Sequence, residues 1–346
     1  MEGIIGGEFS IPIHDINKNN RLAKPLFSSG RGAFAAILEH LFRDGACNRW
    51  GGVLLPDYLC SSITRICIDQ KTPYDFYHVN DNLTPDEKDL FRKAEENNIV
   101  LLISYFGVIN TDKISERIKE KNPKACVIID DVQDFYADKT SSAWDYRFNS
   151  YRKWFAVPDG AEVSCKSGRL MYAKEENNFA QYKFSGNILK NFSEWVDDKV
   201  CLALIEKGEE ILDRNYNCKC SEISRALIPQ VPFSEIRETR KKNASFLHDR
   251  LEELGIKHIC RNEAVPLFVP IFLENRDSIR KEMFRNNIFT PAHWPYESPS
   301  LNGNVKNKLY DTERSLICDQ RYSRKDMERQ LNVLETNLGK EIRRYR

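Results

Sequence analysis

The stretch VIIDDVQ, residues 127–133, decides the fold, because it joins a strand to two carboxylates and an amide. The continuous apolar run before Asp130 is typical of a buried strand in a parallel sheet. Carboxylates that follow such a strand lie at the sheet edge where α/β proteins bind ligands. Side chains alternate along a strand, so we expect one of Asp130 and Asp131 to face a ligand and the other to cap a helix or face solvent. The ligand could be a metal, a ribose or a protonated ring nitrogen, and the plain alternative is a helix N-cap.

The chain around this stretch alternates between short apolar runs and helical patterns. Strands are predicted at 53–55, 76–79, 99–105 and 125–129, and helices at 32–42, 61–69, 85–97 and 114–121. Such alternation favours an α/β fold with a large, mostly parallel sheet. The segments 162–165 and 170–173 are joined by Lys-Ser-Gly-Arg and predict a hairpin.

The chain changes character near residue 177. Its second part predicts a long helix at 177–214, a helix at 233–254 ended by Gly255, a strand at 266–273, a helix at 277–286 and a last helix from Ser323. A length of 346 residues suggests about two domains. We therefore expect a large α/β domain with an N-terminal arm over residues 1–220, and a smaller α+β domain over residues 221–346.

The charge balance and the cysteines limit the possible partners. The 52 Lys and Arg residues nearly cancel the 51 Asp and Glu residues, which argues against a nucleic-acid or membrane-surface partner. The longest apolar stretch, residues 265–273, is too short to span a membrane. The first residues lack the pattern of an export signal, so we expect the ten cysteines to be reduced thiols of a cytoplasmic protein. No two cysteines are spaced as CxxC, and we expect no metal site.

A glycine-containing turn, Ser29-Gly30-Arg31-Gly32, opens the first amphipathic helix. Free backbone N–H groups and the helix dipole make such a turn suitable for phosphate. The alternative is ordinary capping of the helix by Ser28 or Ser29.

A lysine with aromatic and basic neighbours follows the acidic stretch. Lys153 lies in Ser150-Tyr151-Arg152-Lys153-Trp154, shortly before the turn Pro158-Asp159-Gly160. Burial between large aromatic side chains would lower its pKa and supply the neutral amine that a Schiff base needs. The alternative is a surface lysine whose stem packs on apolar neighbours.

The order of these three features favours one cofactor. A phosphate turn comes first, an aspartate follows about a hundred residues later, and a lysine comes after it. Pyridoxal phosphate requires an anion site, a carboxylate that keeps its ring nitrogen protonated, and a lysine that binds its aldehyde.

The sequence also resembles the DegT/DnrJ/StrS group of aminotransferases, which are fold-type-I pyridoxal-phosphate enzymes. The likeness covers nearly the whole chain and lies in IIGGEFSIP (4–12), SSGRGAFAAIL (28–38), LLPDYLC (54–60), VIIDDVQ (127–133), KWFAVPDGA (153–161) and LICDQRYS (316–323). By resemblance, Lys153 binds the aldehyde, Asp130 the pyridine nitrogen, and Gln133 the ring face or phenolic oxygen. The phosphate would be bound by the turn of Ser29, Gly30, Arg31 and Gly32.

Several positions depart from the family pattern. Ala161 stands where glycine is usual, and Phe148 stands where the family has a serine, so Ser150 and Arg152 become candidates for the phosphate. The aromatic residue that often stacks on the ring is replaced by Cys60, with Tyr58 nearby, and either could cover the cofactor. The Gly-x-Asn-x-Arg segment of nucleotide-sugar members is reduced to Gly186-Asn187.

The resemblance implies an aminotransferase that moves an amino group between a small-molecule donor and acceptor, the acceptor being a sugar or a related keto or aldehyde compound. It also implies a homodimer. Candidate substrate contacts are His293, Trp294, Arg321 and Tyr322. One alternative is a lyase or dehydratase with the same cofactor, although dehydratases of this family typically replace the lysine that is retained here as Lys153. The other alternative is a catalytically silent binding or regulatory protein.

Overall fold

In the computed structural model, the described residues are 3–11, 22, 26–43, 51–94, 99–137, 140–166, 170 and 178–344. The strands are β1 (Ile5–Gly6), β2 (Val53–Pro56), β3 (Tyr74–Tyr77), β4 (Ile99–Ile103), β5 (Cys126–Asp130), β6 (Tyr146–Phe148), β7 (Val163–Cys165), β8 (Val269–Phe272), β9 (Ile288–Phe289) and β10 (Glu313–Leu316). The helices are α1 (Gly30–Arg43), α2 (Ser61–Asp69), α3 (Glu87–Lys93), α4 (Asp112–Lys121), α5 (Phe179–Leu189), α6 (Asp198–Arg214), α7 (Glu222–Leu227), α8 (Phe233–Glu253), α9 (Arg276–Arg285), α10 (Pro299–Asn302), α11 (Leu309–Thr312) and α12 (Arg324–Arg344).

The central sheet has the strand order β3-β2-β4-β5-β6-β7. All neighbouring strands are parallel except β6 and β7, which are antiparallel. Strands β4 and β5 at its centre are wholly buried and pair in a register that sets Ile103 beside Asp130. The predicted α/β class with a mostly parallel sheet is therefore confirmed.

Regular amphipathic segments follow the sequence pattern closely. Helix α2 has the predicted bounds, and α8 ends two positions before Gly255, whose φ of +65° suits the turn after a helix. Strand β3 begins two residues earlier than predicted, because Val53 pairs with Tyr74. Strand β4 ends at Ile103 rather than at residue 105, because Tyr105–Gly107 form a 3₁₀ turn with Phe106 at a φ of 55°.

One prediction on the segments after the sheet was wrong. The single helix expected at 177–214 is divided into α5 and α6, because a 3₁₀ turn at Lys190–Phe192 ends the first and Asp197 caps the second. The Asp197 side chain accepts from the Lys199 N–H, which sets a new helix start. Strand β7 pairs with β6, and the hairpin expected between 162–165 and 170–173 stays a prediction. Residues 167–169 and 171–173 lie outside the described part of the chain.

Three apolar clusters hold the layers together. One packs the sheet against α1, α2 and α4, and a second packs β8 and β10 against α8, α9 and α12. The third joins Trp154 and Phe155 of the large part to Ile228, Ile236 and Leu267 of the C-terminal part. The boundary near residue 220 stays a prediction, and the third cluster shows that the two sides of it share a core.

The beginning of the chain packs on its C-terminal part. Strand β1 pairs in parallel with β9, and the Tyr322 hydroxyl lies 2.8 Å from the Gly6 nitrogen. Residues 7–9 continue from this strand along the central cavity described below. Within the described ranges, no helix combines the length and the apolar character needed to cross a membrane.

Candidate functional site

A cavity of about 540 Å³ lies at the carboxyl ends of the parallel strands. Its wall includes Ile103, Asp130 and Phe148, which are the last residues of β4, β5 and β6. Ligands bind at this edge of α/β sheets because loops and helix N-termini converge there. The wall brings together most of the residues singled out from the sequence: Ser29, Gly30, Arg31, Cys60, Asp130, Gln133, Ser150, Arg152, Lys153, His293, Trp294 and Arg321. Gly32, Tyr58 and Tyr322 are not part of it.

The two adjacent acids at the end of β5 have different surroundings. Asp130 lines the cavity, and its Oδ1 accepts from the Val132 N–H at 2.9 Å. Burial raises the pKa of Asp130 to about 7, and the neighbouring Asp131 charge adds to the shift. Asp131 is fully buried and accepts from Arg147 Nε at 2.7 Å and from Ser104 Oγ at 2.9 Å. The expectation that the second acid caps a helix or faces solvent was therefore wrong, because an arginine of β6 neutralises it inside the protein.

Gln133 is fixed by a backbone turn beside the cavity. Its Oε1 accepts from the Phe106 N–H at 2.9 Å. The adjacent Gly107 has a φ of +76°, and an added Cβ there would lie 3.0 Å from the Val265 carbonyl oxygen. The amide is thus oriented by a tight turn after β4 while its side chain lines the wall.

The glycines at the start of α1 are required by close packing. A Cβ on Gly30 would lie 2.9 Å from Val132 Cγ2, and one on Gly32 would lie 2.5 Å from the Tyr216 carbonyl oxygen. The Ser29 hydroxyl accepts from the Gly32 N–H at 3.1 Å, so the helix is capped as the plain alternative expected. The same helix start also faces the cavity, and Arg31 beside it pairs with Asp213.

The turn that carries Lys153 is held by two backbone connections. Tyr151–Lys153 form a 3₁₀ turn after β6, and the Tyr151 N–H donates to the Gly160 carbonyl at 2.9 Å. The next segment is tied to the residues before α1, because Ala161 and Phe27 exchange backbone bonds of 2.8 and 2.9 Å. The turn that carries Lys153 and the turn at Ser29–Gly32 therefore share one support.

Asp159, from the turn after the lysine, has a supporting role. It is 1% exposed and accepts from the Ser221 N–H at 2.8 Å and from the Ser221 hydroxyl at 2.7 Å. Because Ser221 caps α7, this carboxylate ties the turn to the start of that helix.

Lys153 reaches the cavity instead of packing between its aromatic neighbours. Trp154 is fully buried, and its indole N–H donates to the Val132 carbonyl at 2.9 Å. The Lys153 side chain is exposed to the cavity space. Enclosure by the protein, and then the positive charge of Arg152, lower the pKa of Lys153. The expected burial between aromatic rings was thus wrong, although the pKa shift has the expected direction.

Several charged residues of the wall were not predicted. Arg152 pairs with Glu209, and Lys183 Nζ lies 2.9 Å from the same Glu209 oxygen and 3.4 Å from Glu8 Oε1. Burial alone would raise the pKa of Glu209, but Arg152 and Lys183 hold it well below the usual range. The sequence gives no signal for this network, because Glu209 belongs to a charged helix that is typical of a solvated surface and Lys183 is the single charged residue of α5.

An arginine that was not predicted, Arg240, packs against Trp154. Arg240 of α8 is 1% exposed, and its guanidinium carbon lies 4.8 Å from the Trp154 ring centroid. Its Nε donates to Gln320 Oε1 at 2.9 Å, and its Nη1 donates to the Leu267 carbonyl at 3.0 Å. The charge run 237–242, which is typical of a solvated helix face, thus contains one buried cation of the cavity wall.

Of the two candidates for the ring face, only Cys60 lies on the cavity wall. Tyr58 is fully buried, and its hydroxyl donates to the His293 carbonyl. Its ring packs 5.3 Å from Trp294 and 5.0 Å from Tyr310. Tyr58 therefore supports the loop that carries His293 and Trp294, and the structure does not place it against a cavity ligand.

The four candidate substrate contacts divide into two groups. His293 and Trp294 lie on the wall, and His293 Nδ1 is 2.8 Å from Ser315 Oγ. Arg321 also lines the cavity but is bound to Asp319 through bonds of 3.0 and 2.7 Å. Its Nη1 donates to the Gly7 and Glu8 carbonyls, each at 3.1 Å. Arg321 and Tyr322 thus fasten the N-terminal arm.

Within the described ranges, no group of three or more His, Cys, Asp or Glu side chains could hold a metal ion.

The chain shares the fold of solved aminotransferase structures, which is the predicted fold-type-I architecture. No protein-family model matches the sequence, and no curated protein does.

Solved structures of aminotransferases are similar over most of their length. Spr1654 from Streptococcus pneumoniae, in its PLP form, shares 12% identity over 96% of this chain and 92% of that chain, with a TM-score of 0.67. The sugar aminotransferase CalS13 from Micromonospora echinospora shares 11% identity over 90% and 86%, with a TM-score of 0.63. DesI, solved in the presence of its TDP-sugar product, shares 14% identity over 91% and 80%, with a TM-score of 0.63. At these identities the likeness establishes a common fold.

Proposed function

We propose that this protein is a pyridoxal-phosphate-dependent aminotransferase with Lys153 as its catalytic residue. One observation carries the proposal: Lys153, Asp130 and the N-terminus of α1 face the same cavity at the carboxyl edge of the sheet. These are the amine, the carboxylate and the anion site that the cofactor requires. The similar folds of Spr1654, in its PLP form, and of CalS13 support the assignment.

The residues present fit the cofactor. The start of α1 offers backbone N–H groups next to Gly30, where an added Cβ would contact Val132, so the backbone can approach a phosphate closely. Arg31, Ser150 and Arg152 lie on the same wall and would add charge and a hydroxyl. The Ser150 hydroxyl is buried without a hydrogen-bond partner in the described structure, as expected for a group that binds a ligand.

Asp130 would bind the ring nitrogen. Its carboxyl is buried and has a pKa of about 7, so it is readily ionised by a cationic partner at that position. Pyridoxal phosphate, when bound, supplies an aldehyde that captures amines and a ring that accepts the electron pair left after deprotonation at carbon. Gln133, oriented by the Phe106 N–H, would bind an edge or face of the ring.

Lys153 would bind the aldehyde and then move a proton. Its lowered pKa increases the fraction of neutral amine that can attack a carbonyl. Once an amino donor has displaced it, the same amine is positioned to take a proton from the donor carbon and to return it elsewhere. Cys60 is the wall residue that we propose to cover the cofactor.

We propose a sugar or a related keto or aldehyde compound as the amino acceptor. The titles of CalS13, a sugar aminotransferase, and of DesI, with its TDP-sugar product, support this substrate class. In this chain, His293 and Trp294 provide a polar and an aromatic surface on the cavity wall. Both side chains suit a hydroxylated ring compound.

The test is spectroscopic. Purified protein mixed with pyridoxal phosphate should gain the visible absorption band of a lysine-bound cofactor, and a panel of amino acids should identify the donor that removes it. The Lys153→Ala variant should lack the band, whereas Lys207→Ala, which changes an exposed lysine of α6, should retain it. A protein that ignores the cofactor, or a Lys153→Ala variant that keeps the band, refutes the proposal.

We further propose a homodimer whose partner covers the cavity mouth. Leu202 is 46% exposed and Phe289 is 38% exposed, and both also line the cavity. Trp195, which precedes α6, is 81% exposed. Exposed apolar side chains at a site of this kind favour contact with another chain. Light scattering should give twice the mass of one chain, and Leu202→Asp should reduce it to one.

We also propose a cytoplasmic location. The described cysteines are all free thiols, and Cys60 among them lies on the cavity wall, which suits a reducing compartment. Fractionation of the source cells with an antibody against the protein would place it in the soluble cytoplasmic fraction. Recovery in an exported fraction would contradict this location.

A further inference from the structure

Three hydrogen-bonded side chains extend from the cavity wall into the interior of the protein. His293 lines the cavity, and its Nδ1 lies 2.8 Å from Ser315 Oγ. The Ser315 hydroxyl in turn contacts Glu313 Oε1. Glu313 and Ser315 are alternate residues of β10, so they share one face of the strand, and both are fully buried. His293 Nδ1 and Glu313 Oε1 are 4.0 Å apart, so the serine connects them.

The order of donors fixes where the protons lie. An ionised carboxylate only accepts hydrogen bonds, so Ser315 gives its single hydrogen to Glu313 and must accept one from His293. His293 then carries its proton on Nδ1 and keeps a lone pair on Nε2. Burial, and then the nearby charge of Lys153, lower the pKa of His293 to about 3, so the ring is a neutral base.

Glu313 is held as a proton acceptor in the interior. Its Oε2 accepts from the His293 backbone N–H at 2.6 Å, and this bond holds Glu313 and His293 in a fixed relation to each other. Burial raises the pKa of Glu313 to about 7, against the opposing effects of Ser315 and the His293 N–H. The other charged or titratable groups that act on the pair are Arg314, Arg276 and Tyr58, besides Lys153 across the cavity.

We propose that His293, Ser315 and Glu313 form a proton relay between the cavity and a buried carboxylate. A hydroxyl or ammonium group of a cavity ligand gives its proton to His293 Nε2, while the Nδ1 proton moves to Ser315 Oγ and the Ser315 proton moves to Glu313 Oε1. The ligand atom keeps the electron pair, and Glu313 becomes a neutral acid. His293 and Ser315 each end with one proton, as they began, and the reverse sequence returns the proton.

The relay has a signature that does not require substrate. When Glu313 is ionised, His293 has its proton on Nδ1. When Glu313 is protonated it donates to Ser315, and Ser315 donates to His293 Nδ1, so the ring proton must move to Nε2. The histidine thus exchanges tautomers without becoming charged, at the pH where a different residue titrates.

The experiment is an NMR titration of the full chain labelled with ¹⁵N-histidine. The chain has six histidines, and the His293→Asn variant identifies the signal. We expect the Nδ1–H tautomer at alkaline pH and the Nε2–H tautomer at acidic pH, with a midpoint at about 7. Glu313→Gln should hold one tautomer at every pH, and Ser315→Ala should uncouple the ring from Glu313.

Two matched variants separate the relay from simple packing. Ser315→Thr keeps the hydroxyl and should keep the tautomer exchange, whereas Ser300→Ala removes an exposed hydroxyl elsewhere and should change nothing. Thermal melts establish that each variant folds. A His293 ring that becomes cationic near neutral pH, or an exchange that survives Ser315→Ala, overturns the relay. The titration needs neither cofactor nor amino donor, so its result is independent of the aminotransferase proposal. Only the identity of the ligand that gives its proton to His293 rests on that proposal.

Discussion

Arg147 neutralises Asp131 directly behind the cavity, with 2.7 Å between Nε and Oδ2 and 3.1 Å between Nη2 and Oδ1. Arg147 is 3% exposed and Asp131 is fully buried. The pair leaves Asp130, the preceding residue of β5, as the acid that faces the cavity, and no salt bridge joins Asp130 to a cation among the described residues. This division of two neighbouring carboxylates is the reason that one of them is free to bind a ligand.

We expect Arg147→Met to destabilise the protein strongly. The substitution leaves the Asp131 carboxylate buried without its partner, which costs about 3–5 kcal/mol in comparable pairs. The matched control is Arg117→Met, which breaks the exposed pair with Glu87 and should change stability by less than about 1 kcal/mol. Urea unfolding of the three proteins gives the comparison. Equal losses in the two variants would contradict the assignment of Arg147 as a buried counter-ion.

Asp130→Asn should change stability in a pH-dependent manner. The folded pKa of about 7 lies above the ordinary value of 3.8, so the wild-type cofactor-free protein loses stability as pH rises between these values. The asparagine cannot ionise, and it should stabilise the cofactor-free protein at alkaline pH by at most about 4 kcal/mol, with little effect at acidic pH.

The same variant should bind pyridoxal phosphate less tightly, because the ring nitrogen loses its carboxylate. Chemical unfolding at two pH values measures the first effect, and titration with the cofactor measures the second. A variant that is less stable than the wild type at alkaline pH would show that the buried charge is compensated by another group.

Glu209→Gln should lower the pKa of Lys153 further. The Glu209 carboxylate opposes the effects of Arg152 and Lys183 on the lysine, and the substitution removes that opposition. Competitive acetylation with mass spectrometry, repeated over a range of pH, gives the midpoint for Lys153. Glu210→Gln is the control, since Glu210 points away and pairs with Lys207. A midpoint that does not move in Glu209→Gln would mean that the network leaves the lysine unaffected.

Gly32→Ala should weaken both the fold and the phosphate site. The new Cβ would lie 2.5 Å from the Tyr216 carbonyl oxygen, which belongs to backbone and cannot rotate away. We expect a loss of about 1–3 kcal/mol, with weaker cofactor binding because the start of α1 must shift. Gly3→Ala is the control, because no atom lies within 4 Å of its added Cβ. Thermal unfolding and cofactor titration of both variants decide the matter.

Patterns that repeat along the chain were readable from the sequence. Helix α2 and strand β5 follow from local periodicity. Alternation along the strand predicts that one of Asp130 and Asp131 faces a ligand, and the family resemblance selects Asp130. Lys153 and the turn at Ser29–Gly32 could be predicted because the cofactor chemistry requires these residue types together.

Contacts between distant charged residues were not readable. Glu209 lies in a helix whose other acids are exposed. Its place in the cavity wall depends on two partners from elsewhere in the chain, Arg152 and Lys183. The relay residues Glu313 and Ser315 follow no motif, because their roles arise only when β10 packs behind His293. The division of the helix expected at 177–214 was missed since its capping aspartate is one of many acids in that region.

The contact between Tyr322 and Gly6 spans 316 positions of the chain. Because Glu8 and Phe9 form part of the cavity wall, a growing polypeptide cannot enclose this site until almost all of it has been synthesised. Until then the sheet can form with its ligand edge open, so the site is completed last although it is built on the part of the chain that is synthesised first.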